Sequence, residues 1–409
     1  MLRLVMKFGG TSVGSVERIN DVANIVRNEV VQGNEVVVVL SAMAGETDRL
    51  VNLARGISDS LSPEEYDTVV SSGEQVSVGL LSAALNNMDI NARSYMAWQI
   101  PIVTNANHKS SRIEAIRSET IINSLQKGLV CVIPGFQGVS NEGRITTLGR
   151  GGSDTSAVAI ASAIEADYCD IYTDVDGVYT SDPNKISNAK RLDKVSYEEM
   201  LEMASLGAEV LQTRSVETAM NNKVLLRVLS SFDAKENLKA GTLVCDEDKI
   251  MDKRVVTGIT SSLKDAKITL VGVRDKPGVA AEIFMSLADS NINVDMIVQN
   301  ISEGGKTTDI TFTVPKDDTD KSEKIMSEIK ESVPYERVII DSKIAKISVV
   351  GVGMRSNAGV ASGMFNVLSD NGININVIST SEIKISVLIN EKEAEKATKM
   401  LHKFFELDR

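Results

Sequence analysis

A glycine-rich segment at residues 146–155, TTLGRGGSDT, brings a guanidinium, a hydroxyl and a carboxylate together between Arg150 and Asp154. The alanine-rich run AVAIASAI follows at residues 157–164 and predicts a tightly packed helix that begins near Ser153 or Asp154, with Ser153 as its N-cap. The free N–H groups and the positive dipole end of such a helix attract anions. Arg150 adds a planar fork that suits a carboxylate or a phosphate. The segment therefore predicts an anion-binding active site.

A lysine beside a glycine turn, KFGGTS at residues 7–12, is a second candidate for binding an anion. The turn follows a strand-like run and precedes a helical one, and the charge of Lys7 suits the β- and γ-phosphates of a nucleotide. The spacing and the ending differ from those of a Walker A loop, so a P-loop fold is not indicated.

The composition argues against several classes of protein. A chain of 409 residues is long enough for two or three domains, and its net charge of −12 provides no basic field for nucleic acid. The N-terminal apolar run is too short for a signal peptide, and no run reaches the roughly 18 apolar residues of a membrane span. Two histidines argue against a histidine-based metal site, and we expect no metal bound by the protein alone. The cysteines lack metal or redox spacing, which predicts reduced, buried thiols in a cytoplasmic protein: Cys131, Cys169 and Cys245.

The first 232 residues alternate strand-like and helix-like segments. This alternation predicts an α/β layer sandwich, whose ligands bind beyond the carboxyl ends of the strands. A polar, charged stretch at residues 233–254 then predicts a linker. The clearest patterns are strands at 36–40, 129–133, 168–173 and 225–229, and helices at 16–30, 75–85 and 196–206.

The last third of the chain contains an internal repeat. VGVRDKPGVA at residues 271–280 aligns without gaps on VGMRSNAGVA 81 residues later, and further matches share that offset. The first copy predicts the strand and helix order βαββαβ of a ferredoxin-like unit, whereas the second copy ends before its last strand. The strand-like run at 255–260 precedes the first copy and can fill the vacancy. We therefore expect the first repeat to be inserted into the second.

Several motifs together resemble those of bacterial aspartate kinases with paired C-terminal ACT domains. MKFGGTSVGS, LSAMAGETDRL, SSGEQVS, PGFQG, TTLGRGGSDTSA and DIYTDVDGVYTSDP occur in the family's order, followed by the tandem repeat. The resemblance implies an amino-acid-kinase-type α/β/α sandwich with two ferredoxin-like ACT domains, the first inserted into the second. The implied boundaries are a catalytic domain at 1–245, a linker with the donated strand at 246–262, and ACT domains at 263–341 and 342–409.

The resemblance also implies an activity and its residues. The family transfers phosphate from ATP, with Mg²⁺ held mainly by the phosphates, to the side-chain carboxylate of L-aspartate, the first step towards lysine, threonine and methionine. Lys7 matches the catalytic lysine, and Asp154 matches the aspartate that orients it. The substrate-binding matches are Ser41, Thr47, Glu74, Arg150, Gly151, Gly152 and Ser153. The ATP-binding matches are Lys7, Phe8, Gly9, Gly10, Thr173, Asp174, Tyr179, Thr180, Ser181, Asp182, Pro183, Asn184 and Lys185.

The repeats imply feedback control by amino acids. The family's effectors are lysine and threonine, and the sequence does not choose between one of them and both. The effector-binding matches are Asp275, Gly278, Val279, Ala280, Asn293, Val294, Asp295 and Gln299 in the first repeat, and Val360, Asn374, Ile375, Ser381 and Glu382 in the second.

One residue departs from the family pattern, and alternatives stay open. Glu209 stands where relatives commonly carry a lysine near the nucleotide, which puts one phosphate contact in doubt. The alternative functions are an amino-acid sensor with an inactive kinase domain and another carboxylate kinase of the same fold. We expect a dimer or tetramer formed through the ACT domains, with no nucleic-acid or membrane partner. A shorter regulatory chain beginning at Met251 is a further expectation from the resemblance.

Overall fold

A computed structural model describes residues 1–58, 60–206, 210–232, 241–250, 254–301 and 307–409. The chain forms two compact units, Met1–Tyr179 with Arg191–Asp252 and Thr180–Lys190 with Lys253–Arg409. Glu209 and Met251, which the sequence singled out, lie outside the described residues. None of the described helices combines the length and the apolar composition needed to cross a bilayer.

Residues Thr180–Lys190 belong to the second unit, although the sequence assigned residues 1–245 to one domain. Hydrogen bonds within the second unit explain the difference. The Ile259 N–H donates to the Thr180 carbonyl at 2.8 Å, and the Thr180 hydroxyl lies 3.0 Å from Nε2 of the buried His402. The compact units thus divide the range 1–245 at residues 180–190, and the expected domain boundaries stay a prediction.

The first unit is an α/β structure that follows the alternation in the sequence. Runs such as EVVVVL favour strands because β-branched side chains pack well on a pleated surface. Its described strands are β1 (Arg3–Phe8), β2 (Glu35–Leu40), β3 (Ala92–Ser94), β4 (Ile102–Thr104), β5 (Ile113–Ile116), β6 (Val130–Pro134), β7 (Gln137–Ser140), β8 (Ile145–Thr147), β9 (Tyr168–Thr173), β10 (Lys194–Ser196), β11 (Leu226–Ser230) and β12 (Thr242–Cys245). Its described helices are α1 (Val16–Val31), α2 (Glu46–Ile57), α3 (Pro63–Val70), α4 (Ser72–Asn86), α5 (Glu119–Leu125), α6 (Gly152–Ala163), α7 (Tyr197–Ser205) and α8 (Thr213–Asn222).

The described strands of the first unit form a large sheet and a small one. The large sheet has the order β10-β12-β11-β9-β1-β2-β6-β3, and only the β11–β12 pair among these is antiparallel. The small sheet has the order β5-β4-β7-β8. In the large sheet the chain leaves β1 towards β2 on one side and returns to β9 on the other. Such a reversal opens a crevice at the carboxyl ends of the strands, where ligands of α/β folds bind.

Helices cover both faces of the large sheet. Helices α1 and α4 pack on one face, and α6 lies against β1, β2 and β9. Because side chains alternate along a strand, Lys7 points away from the face that carries Met6 and Phe8, and towards α6. The apolar core on the α1 and α4 side contains Leu4, Met6, Phe8, Ile19, Val22, Val26, Val38, Val78, Leu81 and Leu85.

The second unit contains the tandem repeat. Each repeat has its own buried apolar core beneath its sheet. The described strands are β13 (Gly258–Ser262), β14 (Asp265–Arg274), β15 (Asp295–Ile301), β16 (Thr307–Pro315), β17 (Arg337–Asp341), β18 (Ile344–Val350), β19 (Val377–Thr380) and β20 (Lys384–Asn390). The described helices are α9 (Val279–Asp289), α10 (Thr319–Glu328), α11 (Val360–Asp370) and α12 (Ala394–Phe404).

The pairing of the edge strands confirms that the first repeat is inserted into the second. The first repeat forms the antiparallel sheet β15-β16-β14-β17, in which its last strand lies beside its first strand. The second repeat forms the sheet β19-β20-β18-β13. Strand β13, which precedes the whole first repeat in the chain, thus occupies the position that β17 holds in the first sheet. The predicted α/β fold with two ferredoxin-like ACT units is confirmed.

Candidate active site

The glycine turn after β1 is held closely against neighbouring backbone. The Gly9 N–H donates to the Tyr172 carbonyl at 3.4 Å, and the Ser12 N–H donates to the Gly9 carbonyl at 3.0 Å. A Cβ on Gly10 would lie 3.0 Å from the carbonyl oxygen of Ala42, closer than most side chains tolerate. The turn therefore needs glycine for a close backbone approach, which fits a cradle for phosphate.

Lys7 and Asp154 form a close ion pair in the first unit. Lys7 Nζ lies 2.5 Å from Oδ1 of Asp154, as a close contact rather than an aligned hydrogen bond, and both side chains are about nine-tenths buried. Asp154 sits in the first turn of α6, and α6 lies against β1. The carboxylate therefore fixes the direction of the ammonium, and no other carboxylate of the described residues pairs with it, so it can also bind an anion.

Helix α6 begins at Gly152, and its N-cap is Gly151; the prediction of Ser153 as the N-cap was wrong. Gly151 has the left-handed angle φ 69°, and a Cβ there would overlap the side chain of Gln212. A Cβ on Gly152 would lie 2.9 Å from the ring of Phe136. These contacts require glycine at both positions. The helix therefore begins closer to the N-terminus than predicted. Ser153 and Asp154 thus occupy its first turn, where backbone N–H groups have no intrahelical acceptor.

A cavity of about 650 Å³ lies in the first unit and contains many of the predicted site residues. It is lined by both predicted catalytic residues and by all seven predicted substrate-binding residues, together with Thr173. Sequence reasoning missed part of the wall. Four of the missed residues lie within the family's motifs but were assigned no role there, namely Asp48, Phe136, Thr147 and Gly149, and the others lie outside those motifs. The missed lining residues are Asp48, Val51, Tyr66, Lys109, Phe136, Thr147, Gly149, Val210 and Gln212.

Glu74 places a buried carboxylate beside this cavity. The side chain comes from the first turn of α4 and is 3% exposed. Its Oε1 accepts the Ala42 N–H at 3.1 Å, while no group in the described part of the chain donates to Oε2. Burial raises the pKa of Glu74 to about 7. An unsatisfied buried carboxylate oxygen is costly, so the site is suited to a cationic ligand group such as an ammonium.

The predicted ATP-binding residues are divided between the two units. Lys7 and Thr173 line the cavity, whereas the side chain of Phe8 is fully buried and stacks on Tyr172 with ring centroids 4.5 Å apart. Only the backbone of Phe8 is therefore available to a ligand. Tyr179 donates its hydroxyl to Asp176 at 2.7 Å. Asp174 accepts the Thr173 hydroxyl at 3.0 Å. The remaining predicted residues belong to the second unit: Thr180, Ser181, Asp182, Pro183, Asn184 and Lys185.

The predicted effector residues differ in their accessibility. The side chains of Val279 and Val360 are buried at the starts of α9 and α11, so only their backbones can meet a ligand. Asp295 pairs with Lys346 at 2.8 Å, and this contact lowers the pKa of Asp295 against the opposing effect of burial. Its carboxylate is thus already paired with a side chain of the same unit. Besides Asp295, the exposed candidates are Asp275, Gly278, Ala280, Asn293, Gln299, Asn374, Ser381 and Glu382.

Two family models match the chain. The amino acid kinase family matches residues 2–230, and the ACT domain matches residues 268–328 and 347–405. The first match covers the unit with the cavity, and the second covers both repeats.

Known proteins are similar over the whole length. The chain is 53% identical to an aspartate kinase of Pseudomonas fluorescens, over 100% of this chain and 98% of the relative. It also resembles the crystal structure of E. coli aspartokinase III in complex with aspartate and ADP (R-state), with a TM-score of 0.82, 28% identity, and 98% and 99% of the two chains covered. The structure of the E. coli enzyme in complex with lysine and aspartate (T-state) has a TM-score of 0.79, 29% identity, and 98% of each chain covered. The chain belongs to the amino acid kinase family and, within it, to the aspartate kinases.

Proposed function

We propose that this enzyme transfers the γ-phosphoryl group of ATP to the side-chain carboxylate of L-aspartate, giving 4-phospho-L-aspartate. The observation that carries the proposal is the single cavity that contains the Lys7–Asp154 pair, the start of α6, Arg150 and the unsatisfied Glu74 carboxylate. It offers cationic groups for anions and one buried anion for an ammonium. An amino acid with a second carboxylate matches this charge pattern.

The substrate end of the cavity is assigned to Glu74 and Arg150. Glu74 attracts the α-ammonium, because its Oε2 lacks a partner among the described residues. Arg150 offers its fork to the α-carboxylate, and the hydroxyls of Ser41, Thr47 and Ser153 complete the polar wall. The side-chain carboxylate then faces the phosphoryl end of the cavity.

The phosphoryl end is assigned to Lys7 and the first turn of α6. The substrate carboxylate is already ionised at neutral pH, so the reaction needs no general base. What it needs is alignment and stabilisation of charge on the transferring oxygens, which an oriented ammonium and free helix N–H groups supply. The glycine turn at Gly9 and Gly10 fits the nucleotide phosphates, and Mg²⁺ bound to those phosphates would neutralise part of their charge.

A hydroxamate-trapping assay tests this function directly. Purified protein with ATP, Mg²⁺ and L-aspartate should form an acyl phosphate that hydroxylamine traps as the hydroxamate. Glutamate and N-acetylglutamate should give less than about a hundredth of that rate, because an extra methylene misplaces the carboxylate and an acetylated amine cannot pair with Glu74. A higher rate with either of these substrates than with aspartate would contradict the proposal.

The substitution Arg150→Lys tests the assignment of the α-carboxylate. Lysine keeps the charge but loses the planar fork, so the KM for aspartate should rise about tenfold. The KM for ATP should stay within about twofold, because Arg150 is placed at the substrate end. Steady-state kinetics with each substrate varied in turn provide the measurement. Equal increases in both KM values would remove Arg150 from the aspartate site.

The ACT repeats support a second element of the proposal, feedback inhibition by lysine, threonine or both on the route to these amino acids. The solved E. coli relative with lysine bound favours lysine. Asp275→Ala and Asn374→Ala remove exposed polar groups at the predicted effector edges. Each should raise the effector concentration for half-inhibition about tenfold, within the usual range of allosteric coupling energies.

The matched control is Asp289→Ala, an exposed aspartate at the end of α9. It should leave the half-inhibitory concentration unchanged. Full sensitivity in both effector-edge variants would show that these edges are not the effector sites.

Three further features remain proposals: assembly as a dimer or tetramer through the ACT domains, the shorter chain from 251 and the cytoplasmic location. The three buried, unpaired cysteines are compatible with that location.

A further inference from the structure

Asp67 is a fully buried carboxylate outside every motif considered above. Both of its oxygens accept the Lys109 N–H at 3.1 Å, and Thr147 donates its N–H at 3.0 Å and its hydroxyl at 2.6 Å. Nδ1 of His108 lies 2.7 Å from Oδ2, within hydrogen-bond distance. Asp67 thus joins α3 to the loop at 108–109 and to the end of β8.

The backbone of Lys109 is held in an unusual conformation. Its φ is +67°, in the left-handed region that non-glycine residues seldom adopt. The Lys109 carbonyl also lies against Gly149, where a Cβ would approach it to 3.2 Å. Gly149 is the immediate neighbour of Arg150. Strain of this kind persists where the surroundings fix a residue, and such positions concentrate at functional sites.

Lys109 lines the same cavity as Arg150 and Lys7, and it also lines a smaller cavity of about 290 Å³ between α2 and α3. Its Nζ lies 4.7 Å from the centroid of the Tyr66 ring, and Tyr66 also lines the cavity and precedes Asp67 on α3. Lys7 pairs with Asp154 at the end assigned to the phosphoryl group, whereas no carboxylate of the described residues pairs with the Lys109 ammonium. The cavity therefore holds a cation that the assignments above leave unused.

We propose that Lys109 binds the α-carboxylate of the amino-acid substrate beside Arg150, and that Asp67 is the positioning residue that holds Lys109 there. The inference rests on the proposed function. The α-carboxylate is favoured over the phosphates because the backbone of Lys109 lies against Gly149, next to Arg150, whereas Lys7 and α6 form the phosphoryl end. The Tyr66 ring limits the directions available to the ammonium, since a cation is attracted to the ring face.

The first experiment substitutes Lys109 without disturbing its backbone. Asparagine tolerates the left-handed conformation, so Lys109→Asn removes the charge and keeps the turn. The KM for aspartate should rise about tenfold, as expected for loss of a partly exposed charged contact. The KM for ATP should stay within about twofold, and Lys109→Arg should restore most of the affinity for aspartate. Lys127→Asn, at an exposed lysine that does not line the cavity, is the matched control.

A substrate analogue identifies the group that Lys109 contacts. The parent should prefer aspartate over its α-amide, and Lys109→Asn should reduce that preference in kcat/KM about tenfold, because only the carboxylate is charged. An unchanged preference, an unchanged KM for aspartate, or an equal rise in the KM for ATP would overturn the proposal. An inactive parent would overturn the proposed function as well, whereas an active parent with unaltered Lys109→Asn kinetics would overturn this inference alone.

A double-substitution cycle tests the positioning role of Asp67. Asp67→Asn replaces one acceptor by a donor opposite the Lys109 N–H, so on its own it should raise the KM for aspartate. In a protein that already carries Lys109→Asn, the same substitution should raise the KM for aspartate by less than about twofold. Additive effects would mean that Asp67 acts only through stability, which thermal unfolding measures separately. If Asp67→Asn does not fold, the Lys109 variants decide the proposal.

Discussion

Lys7→Met is expected to lower kcat by a factor of roughly 100 to 1,000 in the aspartate hydroxamate assay. Methionine keeps the length and apolar bulk of the side chain but removes the charge that stabilises the transferring phosphoryl oxygens, an effect worth about 3 kcal/mol or more. The KM for aspartate should change little, because Lys7 is assigned to the phosphoryl end. A kcat within tenfold of the parent would remove Lys7 from the catalytic role.

A second variant separates this chemistry from folding. In Lys7→Met the carboxylate of Asp154 stays about nine-tenths buried without its partner, which costs stability. Lys7→Met with Asp154→Asn removes the unpaired charge and should recover part of the lost Tm without recovering activity. If the double variant regained activity together with stability, the single variant would have failed through folding alone.

Glu74→Gln should raise the KM for aspartate about 10- to 100-fold, the second large effect expected. Glutamine can still accept the Ala42 N–H through its carbonyl, but it presents an amide where the buried Oε2 now faces the ligand. The loss of a buried charge-assisted contact with an ammonium is expected to weaken aspartate binding by this factor. The KM for ATP should change by less than about twofold. Glu114→Gln, an exposed glutamate on β5, is the control.

The dependence on pH gives Glu74 a separate signature. With its pKa raised to about 7, Glu74 in the free enzyme is increasingly protonated below that pH and cannot pair with the ammonium. The KM for aspartate should therefore rise as the pH falls from about 7.5 to 6, by up to about tenfold per unit, and level off above pH 8. Glu74→Gln should lack this dependence. A parent KM that is flat between pH 6 and 8 would contradict the role.

The fold was predictable because its signals are local and repeated. Apolar runs marked the central strands of the large sheet, and the fixed offset of the repeats revealed the inserted ACT unit before any pairing was known. The boundary at 180–190 was not predictable from sequence order. It depends on hydrogen bonds such as the one between Ile259 and Thr180, which lie far apart in the chain.

The site was predictable only where a motif marks it. The glycine-rich segments indicated Lys7, Arg150 and Asp154, and the structure places all three on one cavity. The sequence rule that favours serine at an N-cap failed at α6, because the fit of Gly151 against Gln212 decides where that helix begins. Lys109 and Asp67 carried no signal, since an isolated lysine and an isolated aspartate acquire their meaning only from tertiary contacts.

The position of β13 constrains how the second unit can be made on the ribosome. This strand emerges before the entire first repeat, yet it pairs with β18, which follows that repeat. The first repeat can complete its own sheet while β13 is still an unpaired strand. An unpaired strand can pair with another chain and so cause aggregation. A truncated product that begins after residue 262 would lack this strand and leave the edge of β18 open. Fragments for separate expression should therefore begin before residue 258.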